Sequence, residues 1–169
     1  MELASERLIY SFTIPEEIQM YLDLVSNEKV MEFITARPLS IEEGKKKFDK
    51  IIEINESEID IGVYSVYTKN QKEFVGIAKV VPFEENVYEI GYSIYPKFWG
   101  VHFGTEVSKK MVEIGKNLIN ARALIAIIDP NNIASRKILE KSNFEHYKMG
   151  QVYDIPAEFL KLNLEKNEL

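Results

Sequence analysis

Between Ile59 and Ile94, apolar side chains recur at every second position in three successive segments, DIGVYSVYT, EFVGIAKVV and VYEIGYSI. The polar turns Lys69-Asn70-Gln71-Lys72 and Glu84-Glu85-Asn86 divide them. Connections this short join only antiparallel neighbours, so the middle of the chain is a three-strand meander. Immediately afterwards the period changes. Phe103, Val107, Met111, Ile114 and Leu118 form one helical stripe over Gly104 to Leu118, with Glu106, Lys109, Lys110, Glu113 and Lys116 opposite, and a buried strand follows at Ala123 to Ile128. A strand, a helix and a second strand within residues 87 to 128 make a right-handed crossover. Its two strands run parallel and place a ligand site at their carboxyl ends.

The flanks extend this mixed α/β order. Leu8 to Thr13 reads as a strand, and Pro15 opens a helix through EEIQMYLDLV. Ser40-Ile41-Glu42-Glu43 is a capping box for a helix that places Phe48, Ile51 and Ile52 on one face and ends near Ser57. Lys45, Lys46 and Lys47 fall on its polar side and read as a solvated face. Asp129-Pro130-Asn131 breaks the buried strand, Ala134 to Lys141 reads as a short helix, and Phe144 to Met149 and Glu158 to Leu164 are closing strands. With 169 residues and no repeat or linker, one domain over residues 1–169 is expected.

Composition excludes several functions. Hydrophobic residues at 46% and charged residues at 28% are ordinary for a globular chain. A net charge of −6 argues against a nucleic-acid partner and mildly favours cationic substrates. Without cysteine there is no disulfide, thiolate metal site or cysteine nucleophile. MELASERLIY has no cationic stretch before an apolar run, and no segment approaches the roughly 18 apolar residues of a membrane span, so a cytoplasmic enzyme or binding module is expected.

The richest stretch is Tyr92-Ser93-Ile94-Tyr95-Pro96-Lys97-Phe98-Trp99-Gly100-Val101-His102-Phe103-Gly104-Thr105-Glu106. A strand stops at Pro96, two glycines allow close backbone approach, and an amphipathic helix begins, which turns several free N–H groups toward an anion. Phosphate binding is one reading; a loop needing two glycines for its own turns is the other. Neither a P-loop nor a dinucleotide fingerprint is present.

At these residues the sequence resembles the GNAT acetyltransferase superfamily, and most closely its branch of ribosomal-protein N-terminal acetyltransferases, the RimJ/RimL type. Glu6-Arg7-Leu8-Ile9, Glu89-Ile90-Gly91-Tyr92, Trp99-Gly100-x-x-Phe103-Gly104-Thr105-Glu106 and Asn132-x-x-Ser135-x-x-Ile138-Leu139-Glu140-Lys141-x-x-Phe144 carry the likeness in order. The resemblance implies a central, mostly antiparallel twisted sheet, about four helices, and a splayed parallel pair formed by Glu89 to Ile94 and Leu124 to Ile128. It implies acetyl-coenzyme A as co-substrate, no metal, an amine acceptor and a monomer or homodimer. The expected coenzyme contacts are Ile94, Tyr95, Lys97, Phe98, Trp99, Gly100, Val101, His102, Phe103, Gly104 and Thr105, with Asn132 on the pantetheine arm. His102 stands where the family prefers a small residue, so its backbone must accept a Cβ; the imidazole either reaches a phosphate or faces solvent. Asn143 replaces a common glycine before Phe144 and tolerates the left-handed conformation.

An amine attacking a thioester must lose a proton, and the leaving thiolate gains one. Glu89 is the candidate base: strand alternation puts it on one face with Val87, Gly91 and Ser93, and Gly91 leaves space beside it. Its bland counterpart is an exposed strand glutamate. Leu139 occupies the position of the superfamily's donor tyrosine, so Ser135 becomes the candidate donor by resemblance, or else a serine satisfying a helix N-terminus. His146 is either an acid or base or a half-buried strand histidine. The acceptor pocket should be walled by residues 20 to 60 and 145 to 160. A non-catalytic acyl-coenzyme-A binding module is the alternative to an N-acetyltransferase.

Overall fold

The computed structural model describes residues 3–164. Among the described residues eight strands form one sheet in the order β1-β2-β3-β4-β5-β6-β8-β7: β1 (Leu3–Ala4), β2 (Leu8–Phe12), β3 (Gly62–Thr68), β4 (Phe74–Glu84), β5 (Val87–Ile94), β6 (Ala123–Ile128), β7 (Glu145–Val152) and β8 (Ile155–Asn163). All neighbours are antiparallel except β5 and β6. Five α-helices among the described residues cover the two faces: α1 (Ile18–Val25), α2 (Glu28–Met31), α3 (Ile41–Ser57), α4 (Phe103–Lys116) and α5 (Ile133–Lys141). The mixed α/β fold and its single parallel pair agree with expectation. The additional helix is α2, a single turn capped by Asn27, whose side chain accepts from the N–H groups of Lys29 (3.0 Å) and Val30 (3.2 Å).

Alternation along the strands fills two core layers. Leu124, Ala126, Ile90, Ile94, Val107 and Met111 pack between the sheet and α4 and α5. On the other face Val63 and Val81 meet Leu24, Phe48 and Ile51 of α1 and α3. The capping box starts α3 as its sequence requires: Ser40 Oγ accepts from the Glu43 N–H at 3.2 Å, and the Glu43 carboxylate accepts from the Ser40 N–H at 2.8 Å.

Two closing strands are longer than the sequence pattern indicates. β7 runs on to Val152 and β8 begins at Ile155, leaving Tyr153 and Asp154 as a two-residue turn with φ of 52° and 60°. Two consecutive positive φ values match the twist of a hairpin, a role usually signalled by Asn-Gly. β8, the last strand among the described residues, lies between β6 and β7.

Candidate active site

The parallel pair opens where the ligand is expected. β5 and β6 pair from Val87 with Ala123 to Ile90 with Ala126 and no further, although β5 continues to Ile94 and β6 to Ile128. Each strand keeps its outer partner beyond that point, Ile94 opposite Gly76 and Ile128 opposite Glu158. The inner backbone edges therefore diverge with unpaired polar groups between them.

The loop from β5 to α4 adjoins this opening. Trp99 donates its indole N–H to the Ile94 carbonyl (2.8 Å), folding the loop back on the strand end. Gly100 and His102 both take the left-handed conformation, with φ of 77° and 65°. Among the described residues none of the backbone N–H groups of Gly100, Val101, His102, Phe103, Gly104 and Thr105 makes a well-formed hydrogen bond. A Cβ built on Gly100 would meet nothing within 4 Å. These donors open the helix α4, whose dipole adds to them.

A brace from the connection between β1 and β2 fixes the loop. Arg7 donates to the Val101 carbonyl at 2.9 Å and to Glu106 at 2.8 Å, and its guanidinium lies 4.5 Å from the Phe103 ring centre. Glu106 also accepts from the Arg7 N–H (2.7 Å) and Ser5 Oγ (2.6 Å). Burial pushes the Glu106 carboxyl pKa up, but these hydrogen bonds outweigh it and hold the pKa below the ordinary value.

The remaining loop residues divide. Phe98 stacks obliquely on Phe103 at 5.7 Å, whereas the Tyr95 ring meets Phe74 at 6.1 Å in the layer of α1 and α3. The Lys97 ammonium is paired with Glu73 at 3.1 Å. His102 is exposed, which suits either reading of its imidazole, and Asn143 takes φ of 65° as its residue type allows. Because a left-handed non-glycine residue costs roughly 1–2 kcal/mol, His102→Gly should leave stability unchanged or raise it by up to about 1 kcal/mol. Urea denaturation checks this; a loss above about 1 kcal/mol would mean that the imidazole holds the loop.

On the opposite face, Glu89 and Ser93 line a cleft of about 530 Å³ reaching Ile127 and Asp129. Its walls come from Tyr21, Val25, Phe33, Ile34 and Leu39, and from Val152, Tyr153 and Pro156, the two chain regions expected to wall an acceptor pocket. The space beside Gly91 is not open. Lys79, its cross-strand partner, fills it with Cε 2.9 Å from where a Gly91 Cβ would stand, and its ammonium contacts Glu89 Oε1 at 2.6 Å. Lys47 is not a solvated-face residue: it lines the cleft, donates to the Tyr153 hydroxyl and lies 4.0 Å from that ring centre.

Across the sheet, Asn132 caps α5, its Oδ1 accepting from the Ser135 N–H at 3.1 Å, so the cap is Asn132 and the Ser135 hydroxyl is spared that task. Tyr92 brings its hydroxyl, buried and without a well-formed hydrogen bond, between α4 and α5. Burial raises its pKa and the Ser135 hydroxyl partly offsets the rise. Leu139 is in the core. His146 is exposed and sits 2.8 Å from the buried Glu158, which Arg136 also binds; it does not line the cleft. The sequence reading gives Lys79 no place and Tyr92 no role beyond its motifs, although Lys79 falls opposite Gly91 once the meander is put in register.

Known proteins agree with this arrangement. The model of the acetyltransferase (GNAT) domain matches residues 7–145. YkkB of Bacillus subtilis is 28% identical over 105 residues, covering 60% of this chain and 61% of that protein, so the match spans less than two thirds of that relative. The uncharacterized N-acetyltransferase p20 of Bacillus licheniformis is 23% identical over 156 residues, 90% of this chain and 86% of its own length. Among solved structures, a GNAT-family acetyltransferase from Bacillus anthracis superposes with a TM-score of 0.80 at 16% identity over 96% of this chain and 98% of its own. RimL, the ribosomal L7/L12 α-N-protein acetyltransferase solved with coenzyme A, superposes with a TM-score of 0.80 at 14% identity over 97% and 98%. With a family model spanning most of its length and a sheet that splays at the expected strand pair, the chain belongs to the GNAT acetyltransferase family.

Proposed function

We propose that this chain is an acetyl-coenzyme-A-dependent N-acetyltransferase that moves an acetyl group onto a primary amine, a protein N-terminus or a small molecule, by direct attack in the cytoplasm. The observation that carries the reading is the run of N–H groups from Gly100 to Thr105 that make no well-formed hydrogen bond among the described residues, beside the divergence of β5 and β6. Consecutive amides at a helix N-terminus suit a pyrophosphate, and the divergent strand edges suit the amides of a pantetheine arm. The co-substrate supplies an activated acetyl thioester. Backbone N–H groups along the open edge of β5 polarise its carbonyl. Glu89, in the cleft, removes the proton of the amine through Oε2 or after Lys79 swings off Oε1. Ser135, near the end of β6 and released from capping by Asn132, returns a proton to the leaving sulfur.

Coenzyme binding is tested at the loop. Gly100→Asp projects a carboxylate into the open space at that residue and should weaken coenzyme A at least tenfold, about 1.4 kcal/mol. Unchanged calorimetric affinity in a folded variant removes the loop from the site. The core position of Leu139, where the superfamily has its donor tyrosine, favours a second reading, a non-catalytic acyl-coenzyme-A binding module. Thiol release measured across a panel of amines and N-terminal peptides separates the two. Release above the hydrolytic background supports the transferase; coenzyme binding without release supports the module.

A further inference from the structure

The charge of the cleft opposes that of the chain. The sequence carries −6, yet the charged groups lining the cleft are Lys47, Lys50 and Lys79 against Glu89 and Asp129. They are also sorted by position. The carboxylates lie on β5 and just past the end of β6, while Lys47 and Lys50 project from successive turns of α3 on the facing wall. Asp129 is engaged within its own turn, accepting from the Asn131 N–H at 2.7 Å, and Glu89 is held by Lys79 at 2.6 Å. Lys47 is tied to Tyr153 across the cleft. Lys50 has no ion-pair or hydrogen-bond partner among the described residues.

From this separation of charge we infer that the acceptor is an amine that also carries a carboxylate, its nitrogen at Glu89 and its carboxylate at Lys50 and Lys47. The inference rests on the N-acetyltransferase reading. A polyamine would bring further ammonium groups among three lysines, with Asp129 alone beside Glu89 to meet them. A neutral monoamine would leave Lys50 without a counterion. An amine with a distal carboxylate satisfies both ends, and the positive cleft eases loss of its ammonium proton. Two sources share this chemistry, a free amino acid and the N-terminus of an acidic peptide.

Thiol release with matched acceptors tests it: 4-aminobutyrate against 4-aminobutanamide, C-terminally amidated Ser-Glu against Ser-Gln, and spermidine. The carboxylate member of one pair should show a KM at least tenfold lower than its amide, about 1.4 kcal/mol, with similar kcat. A preference in the first pair assigns a free amino acid; one in the second assigns an acidic N-terminus. Lys50→Glu, an exposed change, should abolish the preference by raising KM for the carboxylate acceptor alone. Equal KM within both pairs, a preference that survives Lys50→Glu, or better use of spermidine than of either carboxylate overturns the inference and leaves the N-acetyltransferase reading standing. Coenzyme A binding with no thiol release from any amine overturns both.

Discussion

Glu89→Gln is expected to lower kcat at pH 7 by about a hundredfold to ten-thousandfold, the usual cost of a lost general base. Glutamine keeps the shape and can still accept from the Lys79 ammonium, now 2.6 Å from Oε1, but it takes no proton. A protein N-terminus has a pKa near 8 and an alkyl amine one above 10, so the variant should regain rate as pH rises through the acceptor's pKa while the parent gains less. Coenzyme A affinity, read by calorimetry, should not move, because Glu89 faces the cleft and the loop amides lie beyond the other end of β5. If the variant keeps more than half of the parent kcat with a good acceptor, the base is another group.

The second large effect is structural. Gly76 lies opposite Ile94 at the end of β5, and a Cβ placed on it would stand 2.0 Å from the Ser93 carbonyl oxygen and 3.0 Å from the Ile94 Cα. Both are backbone atoms in the ladder and neither can rotate aside. Gly76→Ala should therefore cost about 3 kcal/mol or more, lowering Tm by roughly 6–12 °C for a domain of this size. Gly91→Ala is the control. Its Cβ would meet the Lys79 Cε at 2.9 Å, the flexible end of a side chain that can swing away, so Tm should change little. A Gly76→Ala protein melting within about 2 °C of the parent would mean that the β4 and β5 backbones separate without penalty.

Local physics made much of this readable in advance. Ser40 and Glu43 specify the start of α3 through hydrogen bonds between residues three apart, and both form. The meander follows from alternation, and the left-handed backbone at His102 from a residue that occupies a small-residue position. What escaped is whatever depends on distant chain. A helical wheel puts Lys47 on the polar side of α3, but which part of that side borders a cleft depends on where the Tyr153 turn is packed. That turn lacks glycine, so its hairpin was read as two shorter strands. The Asn27 cap was visible in principle, since Asn27-Glu28 is a helix-start signal followed by only one turn.

The position of β8 has a consequence for the order of folding. β6 pairs Ala123 with Asn163 and Ile128 with Glu158, contacts that span about 30 to 40 residues, while the β7–β8 hairpin closes over a two-residue turn. The hairpin is therefore expected to form first and dock as a unit, because nearby contacts close at smaller entropic cost. Until it docks, Ala-Leu-Ile-Ala-Ile-Ile of β6 presents an apolar, uncharged edge that is open to pairing with another chain. The same docking brings Val152, Tyr153 and Pro156 to the cleft, whereas the Arg7 brace on the α4 loop uses none of these residues. On this order the loop of α4 is expected to form before the cleft gains its wall from the β7–β8 hairpin.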